Sequence, residues 1–139
     1  MQVNIESIIL SEYASYVGTT RLTIVGTMNK ATVPSVPVRL PPIYMSLVIQ
    51  AHPDQAGTRH EIEVRLLNQR REQVGQTMKA SFDFLVEPPL PGMPVRQSQI
   101  IPIVAEFAEE GPYAYEVFID GTYSASANFY VQVGQQEEA

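Results

Sequence analysis

The chain is 139 residues long, carries a formal net charge of −6 and contains no cysteine and no tryptophan. This length suits a single domain, and the lack of cysteine excludes disulfides, thiolate catalysis and cysteine-ligated metal sites. The negative charge repels phosphate backbones. Because the densest basic pair, Arg70 and Arg71, stands beside Glu72 and is typical of a solvated turn, we expect no nucleic-acid partner.

The sequence also predicts where the protein works. No stretch approaches the roughly 18 uninterrupted apolar residues of a membrane span, so we expect no membrane partner. The opening residues, MQVNIESIIL, lack the basic region and cleavage site of a signal peptide, and we interpret them as a strand. Together with the absence of cysteine, this predicts a cytoplasmic location. One domain is predicted over residues 1–133, followed by a disordered polar tail at 134–139.

Short runs of alternating apolar and polar residues dominate the first half of the chain, and no long window keeps a helical period. The first run is Val3 to Leu10, whose phase slips near Ser7 and predicts a bulge. Residues 21–28 form the second run. Residues 33–42 contain four prolines, which indicates an edge segment or a crossing between sheets.

Three strands are predicted in the middle of the chain. Residues 43–52 are apolar on nearly every position at their centre, which is typical of a central strand. Residues 60–68 alternate cleanly, so the apolar members face inward and the charged members face outward. Residues 79–87 alternate as well, and this alternation puts Phe82, Phe84 and Val86 on one face.

The last third of the chain predicts one interrupted strand and a hairpin. Pro102 interrupts the run at 98–107 or confines it to a sheet edge. Asp120-Gly121 suits a type I′ turn, because both central residues of that turn need a positive φ. The alternation before this turn directs Tyr113 and Tyr115 into the core. About eight strands at such spacing predict an all-β fold, a single-domain antiparallel β-sandwich.

The order of several phrases adds a resemblance to this interpretation. The phrases are SEYAS, RLTIVGTMNKA, AGTRHEIEVRLLN, EPPLPGMPVR and GPYAYEVFIDG, in that order. Over most of residues 3–133 the chain resembles a family of short, uncharacterised bacterial proteins known only as a domain of unknown function. The resemblance implies an immunoglobulin-like or C2-like β-sandwich, and it implies no reaction and no catalytic residue. The cysteine pair and core tryptophan of antibody domains are absent.

One constellation of polar residues suggests chemistry. His52, Asp54 and His60 lie in and around a single loop, and two imidazoles with a carboxylate could bind zinc or a similar ion. Their spacing is not a recognised ligand spacing, and an exposed loop explains it more simply. The alternative function is therefore a small-ligand or metal-binding protein that uses the 52–60 loop, with metal-assisted hydrolysis as its enzymatic form.

No other motif in the sequence predicts catalysis. The carboxylate pairs Glu61/Glu63 and Glu109/Glu110 are expected to be solvated, whereas acid–base chemistry needs carboxyl groups that converge on a pocket. The chain has no Gly-x-Ser-x-Gly phrase and no glycine-rich phosphate-binding phrase. We therefore assign no catalytic, cofactor-binding or metal-binding residue and predict a protein that is not an enzyme and needs no cofactor.

A full set of strands without a convergent polar cluster favours a β-sandwich interaction module. Its partner would be another protein or a second copy of the chain. The loops at 52–60, 68–77 and 87–97 are the expected contact surface. Three tyrosines that the alternation leaves outside could add to it, namely Tyr13, Tyr16 and Tyr123.

Overall fold

The computed structural model describes residues 3–18, 21–86 and 90–134, and these residues form β-strands joined by turns and one short 3₁₀ turn at Pro53–Gln55. Eleven strands lie in this part of the chain: β1 (Asn4–Val17), β2 (Arg21–Thr27), β3 (Lys30–Val33), β4 (Val38–Arg39), β5 (Ile43–Ala51), β6 (Arg59–Leu67), β7 (Gln73–Asp83), β8 (Val95–Ile103), β9 (Glu106–Phe107), β10 (Gly111–Ile119) and β11 (Thr122–Val133). The predicted all-β class is confirmed. Of the predicted tail at 134–139, all but Gly134 lies outside the described residues.

The strands form two larger sheets and one small one. The four-stranded sheet has the order β2-β1-β5-β8, and the five-stranded sheet has the order β3-β11-β10-β6-β7. β4 pairs with β9 in a separate two-stranded sheet. All these pairings are antiparallel except that of β3 with β11. The described strands outnumber the eight or so predicted because β3, β4 and β9 have only two to four residues, too few to show alternation.

β5 is central in its sheet, as its apolar run predicted, because β1 and β8 flank it. β1 is longer than expected, since its first half pairs with β5 and its second half pairs with β2. Its register shifts between Ile5 and Ser7, which confirms the predicted bulge. β8 is an edge strand, as Pro102 indicated, and the hydroxyl of Tyr16 accepts a 2.7 Å hydrogen bond from its Ile100 amide.

The two larger sheets bury one shared hydrophobic cluster. Its least exposed members come from the middle strands of both sheets and include Met45, Leu47, Ile49, Ile62, Val64, Tyr115, Val117, Phe129 and Val131. The inward positions predicted for residues 60–68 and for Tyr113 and Tyr115 are confirmed. The alternation fails at the end of β7, where Phe82 and Phe84 are buried but Val86 is 83% exposed. The strand ends at Asp83, so the period-two rule no longer applies to Val86.

The β10–β11 hairpin turns as predicted. Asp120 has φ of 50° and Gly121 has φ of 82°, the positive values that a type I′ turn requires. Aspartate tolerates this conformation better than most residues because its short polar side chain can form local hydrogen bonds. The turn therefore holds the Asp120 side chain beside the start of the neighbouring strand β6.

Candidate functional site

Several chain connections meet at one end of the molecule. The last residue of β5, Ala51, pairs with the first residue of β8, Val95. Likewise the first residue of β6, Arg59, pairs with the last residue of β7, Asp83. The β10–β11 turn lies beside them, since β10 runs antiparallel to β6. We call this region the loop end and define it by residues 52–58, 84–86, 90–94 and 120–121.

The predicted contact loops do not all lie together. The 52–60 loop and the described part of the 87–97 connector both belong to the loop end, whereas residues 87–89 fall outside the described residues. The predicted 68–77 loop is shorter than expected, because β7 begins at Gln73. It joins the opposite ends of β6 and β7, so it is not part of the same surface.

Backbone hydrogen bonds join two of the connections at the loop end. The Gly57 amide donates to the Leu85 carbonyl at 3.0 Å, and the Phe84 amide donates to the Thr58 carbonyl at 3.0 Å. Gly57 has φ of +76°, and a Cβ there would meet Val86 Cγ2 at 3.6 Å. Because of these bonds, a shift of the 52–58 loop would also move residues 84–86.

The loop end exposes large apolar side chains. Val86 is 83% exposed, Leu90 is 76% exposed and Met93 is 55% exposed. Scattered apolar residues on a surface need no explanation, but a group of them on adjoining segments indicates an interaction site. The three residues lie within ten positions of the end of β7. Met93 folds back towards Leu90, because its amide donates to the Leu90 carbonyl at 3.0 Å.

Two cavities open at this end and share Asn4. The first has a volume of about 530 Å³ and is lined by Asn4, Gln50, Ala51, His52, Pro53, Gly92, Met93 and Pro94. The second has a volume of about 320 Å³ and is lined by Val3, Asn4, His60, Ile119, Asp120, Thr122, Tyr123 and Ser124. Cavities of a few hundred Å³ can hold a protruding side chain or a small ligand.

His60 is a buried polar residue beneath the second cavity. Its side chain is only 9% exposed, and its ring lies 5.5 Å from the Phe82 ring and 5.4 Å from the Phe84 ring. It occupies the same face of β6 as Ile62, since alternate residues of a strand share a face. Both ring nitrogens of a buried imidazole need hydrogen-bond partners.

Both nitrogens of His60 have such partners, and they come from different segments. His60 Nδ1 lies 2.6 Å from Asp120 Oδ2, and His60 Nε2 lies 2.7 Å from Thr58 Oγ1. The Thr58 hydroxyl donates to the Gln55 carbonyl at 2.6 Å. Asp120 Oδ1 accepts from the Glu61 amide at 2.9 Å. One imidazole thus links the 52–58 loop, β6 and the β10–β11 turn.

Asp120 is held as a carboxylate in this arrangement. Partial burial favours its neutral form, but the hydrogen bonds from His60 and from the Glu61 amide outweigh this effect and lower the pKa of Asp120. The charge on Asp120 therefore persists below the pH at which an ordinary aspartate becomes protonated.

The order carboxylate, imidazole, hydroxyl is that of a nucleophilic triad, but the protons are placed differently. In such a triad the imidazole removes the proton of the hydroxyl. Here the only hydroxyl proton of Thr58 is donated to the Gln55 carbonyl. The arrangement is therefore suited to holding three segments together and not to activating Thr58 as a nucleophile.

The structure does not bring together the predicted metal set of His52, Asp54 and His60. His52 Nδ1 lies 3.1 Å from Asp54 Oδ1 on the surface of the loop, while His60 is bonded to Asp120. Across residues 3–18, 21–86 and 90–134, no group of three or more His, Cys, Asp or Glu side chains could hold a metal ion. The metal form of the alternative function therefore lacks the geometry it needs.

The other polar residues considered from the sequence lie on the surface. Glu61 is exposed near Arg59, and Glu63 bonds to Arg65. Glu109 pairs with Arg70, and Glu110 accepts a 2.6 Å hydrogen bond from the Val133 amide. Tyr13, Tyr16 and Tyr123, the tyrosines considered for the contact surface, are about half exposed. These positions agree with the solvated interpretation of the carboxylate pairs.

Two residues of the His60 network, Thr58 and Asp120, were missed by the sequence reasoning. The alternation of β6 offers one signal, because it directs His60 inward together with Ile62. A buried imidazole needs polar partners. The sequence contains only three aspartates, but nothing local to His60 points to one that is 60 positions away.

In the part of the chain that the structure describes, no helix is long and apolar enough to cross a membrane.

Comparison with protein families decides the relationship of the chain. Residues 6–132 match a family of unknown function, DUF6941. The chain belongs to the DUF6941 family. The predicted resemblance to a domain of unknown function is thus confirmed, while the bacterial origin and the immunoglobulin-like shape of this DUF6941 protein stay predictions.

Comparison with other proteins adds information on the fold alone. A search of curated proteins finds no match to the DUF6941 chain. Among 22 matching chains of solved structures is the alkylpurine DNA glycosylase AlkC of Pseudomonas fluorescens, bound to DNA containing an abasic site analogue. The alignment has a TM-score of 0.54 and 11% identity, and it covers 94% of the DUF6941 chain. The DUF6941 chain spans only 30% of the length of the glycosylase chain.

Proposed function

We propose that this DUF6941 protein is a non-enzymatic binding module that holds a partner protein at its loop end. The observation that carries the proposal is the grouped exposure of Val86, Leu90 and Met93. Fully burying one such side chain against a partner contributes about 1.5–3 kcal/mol. Three of them would supply the apolar centre of an interface with a polar rim. Backbone hydrogen bonds join the segment that carries Val86 to the 52–58 loop.

The charges around this surface favour a basic partner. Asp54, Glu61 and Asp83 are all more than half exposed there. Arg59 lies between Glu61 and Asp83, at 3.9 and 3.8 Å, so one guanidinium faces two carboxylates. The net charge of the whole chain, −6, has the same sign. We therefore propose a partner segment that carries apolar side chains flanked by lysine or arginine.

A second copy of the chain fits this surface less well. A two-fold dimer would place the same patch on both sides of the interface. The carboxylates of Asp54, Glu61 and Asp83 would then face one another, and like charges across an interface oppose association. For this reason we favour a different protein over self-association.

We further propose that the two larger sheets form an immunoglobulin-like or C2-like sandwich, supported by the single cluster that they bury. We also propose a cytoplasmic location, supported by the absence of cysteine from the sequence. The non-enzymatic role is supported by the Thr58 hydroxyl, whose proton is donated to a backbone carbonyl.

Photo-crosslinking at the loop end tests the binding role. A photoreactive amino acid would replace Val86 in one variant and Val104 in a matched variant, expressed in the source cells. Val104 is 48% exposed but follows β8, whose far end lies opposite the loop end. We expect a discrete crosslinked protein from the Val86 position and not from the Val104 position. Equal crosslinking at both positions would contradict the proposal.

Direct binding then tests the chemistry of the partner. The partner protein identified by crosslinking is purified, and its affinity for each variant is measured. The double substitution Val86→Ser and Met93→Ser should weaken binding at least tenfold, about 1.4 kcal/mol, whereas Val104→Ser should leave the affinity unchanged. Affinity should also fall as salt rises from about 0.05 to 0.5 M, because salt screens the charge pairs. Binding that is insensitive to salt would remove the basic partner from the proposal.

Small-ligand binding is the second candidate, favoured by the cavity of about 320 Å³ beside His60 and Asp120. Its walls carry polar groups from Asn4, Thr122 and Ser124, which could orient a small polar molecule. A thermal-shift screen of metabolites tests this candidate. Genuine hits should be abolished by Ser124→Trp, which fills the cavity, and retained by an equivalent substitution at exposed Gln132 on β11.

A further inference from the structure

The hydrogen bonds around His60 determine how many protons its ring carries. The Gln55 carbonyl can only accept, and it lies 2.6 Å from Thr58 Oγ1, so the single hydroxyl proton lies between these two oxygens. The 2.7 Å contact between Thr58 Oγ1 and His60 Nε2 then requires a proton on Nε2. Two acceptors at such a distance without a proton would repel each other.

The second ring nitrogen requires a proton of its own. His60 Nδ1 lies 2.6 Å from Asp120 Oδ2, and one proton must lie between them. Asp120 also accepts from the Glu61 amide, which favours the ionised carboxylate. The proton of this contact is therefore on His60, and the ring is an imidazolium paired with a carboxylate.

We propose that protonated His60 holds the loop end in place through its hydrogen bonds to Thr58 and Asp120, an arrangement that we call the lock. Partner binding is then strongest when His60 carries both protons. This regulation rests on the binding role proposed above. When the ring loses one proton, either the Thr58 contact or the Asp120 contact loses its hydrogen. The 52–58 loop or the β10–β11 turn is then released from β6. Because the Gly57 amide donates to the carbonyl of Leu85, the residue before Val86, release of the loop alters the exposed apolar surface.

Among the described residues that pack against the His60 ring, Asp120 is the charged residue that bonds to it. From its own strand, the neighbouring residues Arg59 and Glu61 project on the exposed side. From β7, Phe82 and Phe84 contact the ring, while the exposed Asp83 faces Arg59. From the 52–58 loop, Thr58 reaches the ring, and His52 and Asp54 pair with each other on the surface.

The two members of the pair fail at opposite ends of the pH scale. The imidazolium contributes while the ring carries both protons, and its contribution ends when a rise in pH removes one of them. The Asp120 carboxylate has a lowered pKa, so it contributes at neutral pH and is lost as pH falls through that lowered value. The lock is therefore closed only between these two limits.

Nuclear magnetic resonance of the ring nitrogens tests the lock without any partner. At about pH 6, both ¹⁵N shifts of His60 should be those of nitrogens that carry a proton. The exposed His52 serves as the internal reference, since its ring lies on the loop surface. A neutral His60 ring with one bare nitrogen at about pH 6 would overturn the proposal.

Hydrogen exchange tests the release of the loop. The protection factor of the Gly57 amide, corrected for intrinsic exchange, should fall about tenfold between about pH 6 and pH 8, because one hydrogen bond of the lock is lost. In Thr58→Val, which keeps the side-chain shape but cannot bond to the ring, the protection should be low at both pH values. Equal, pH-independent protection in both proteins would overturn the lock.

Crosslinking at Val86 tests the link to function. The yield of the crosslinked partner should fall at least fivefold from about pH 6 to pH 8 in the wild-type sequence and stay uniformly low in Thr58→Val. A yield that is constant with pH, beside ring shifts that show two protons, would overturn the regulation while leaving the binding role intact. No crosslink at any pH would overturn the binding role and, with it, the regulation.

Discussion

Replacing Asp120 by asparagine probes the carboxylate that joins the β10–β11 turn to β6. Asparagine tolerates the positive φ of this position and can still accept the hydrogen bond from the Glu61 amide. The substitution therefore removes mainly the charged contact with His60. A hydrogen bond to a charged group contributes about 1.5–3 kcal/mol. The Asp120 side chain is 50% exposed, so solvent screening reduces the expected loss to about 1 kcal/mol.

Urea unfolding as a function of pH measures this contribution. The pKa of folded Asp120 is below that of the unfolded chain, so its stabilising effect is complete above the unfolded value, about pH 4, and declines as pH falls through the folded value. We expect Asp120→Asn to lose about 1 kcal/mol, roughly 3 °C of melting temperature, at neutral pH. The difference from the wild-type sequence should vanish in strong acid, where both side chains are neutral.

The control is Asp54→Asn, which removes a carboxylate that contacts an exposed histidine on the same loop end. This variant should change the free energy of unfolding by less than about 0.5 kcal/mol at every pH. If Asp120→Asn were as harmless as Asp54→Asn, or if its loss were equal in acid and at neutral pH, the charged contact with His60 would not stabilise the fold and the reasoning would be refuted.

Three further predictions concern the core and the sheet edge. Tyr115→Phe should leave the free energy of unfolding unchanged or raise it by about 1–2 kcal/mol, because the buried Tyr115 hydroxyl has no hydrogen-bond partner among the described residues; a loss beyond about 1 kcal/mol in urea unfolding would show a hidden partner. Leu47→Ala, in the core, should lower the free energy of unfolding by about 2–5 kcal/mol in urea unfolding. Leu90→Ala, at an exposed leucine, should lower it by less than about 0.5 kcal/mol. Similar losses for the two variants would contradict the described core. Tyr16→Phe should speed hydrogen exchange at the Ile100 amide, which would lose its acceptor on the open edge of β8, and an unchanged rate would show that the tyrosine does not protect that edge.

The fold class followed from the sequence wherever strands were long enough to repeat the period of two. β5, β6 and the β10–β11 hairpin showed clear alternation or a continuous apolar run, and the structure has them at the expected places. The bulge near Ser7 was visible because one extra residue reverses the phase of the alternation. The short strands β3, β4 and β9 were not predictable, since two to four residues carry no period and their pairing depends on distant chain segments.

The candidate site was predictable only in part, because its contacts join residues that are far apart in sequence. The 52–60 loop was identified, but His60 was grouped with His52 and Asp54 by nearness in sequence, whereas its ring bonds to Asp120. Val86 was placed on the same face as Phe82 and Phe84 because the alternation of β7 was extended past the end of that strand. The hydrogen bond from the Gly57 amide to the Leu85 carbonyl, which joins this segment to the 52–58 loop, has no local sequence signal.

Hydrogen exchange of the whole chain, with and without the crosslinked partner protein, tests the binding role most directly. The account predicts that added protection is concentrated in residues 52–58, 84–86 and 90–94, with no change in the 68–72 turn at the opposite end of β6. Protection centred on the 68–72 turn, or on the open edges of β2 and β8, would contradict it.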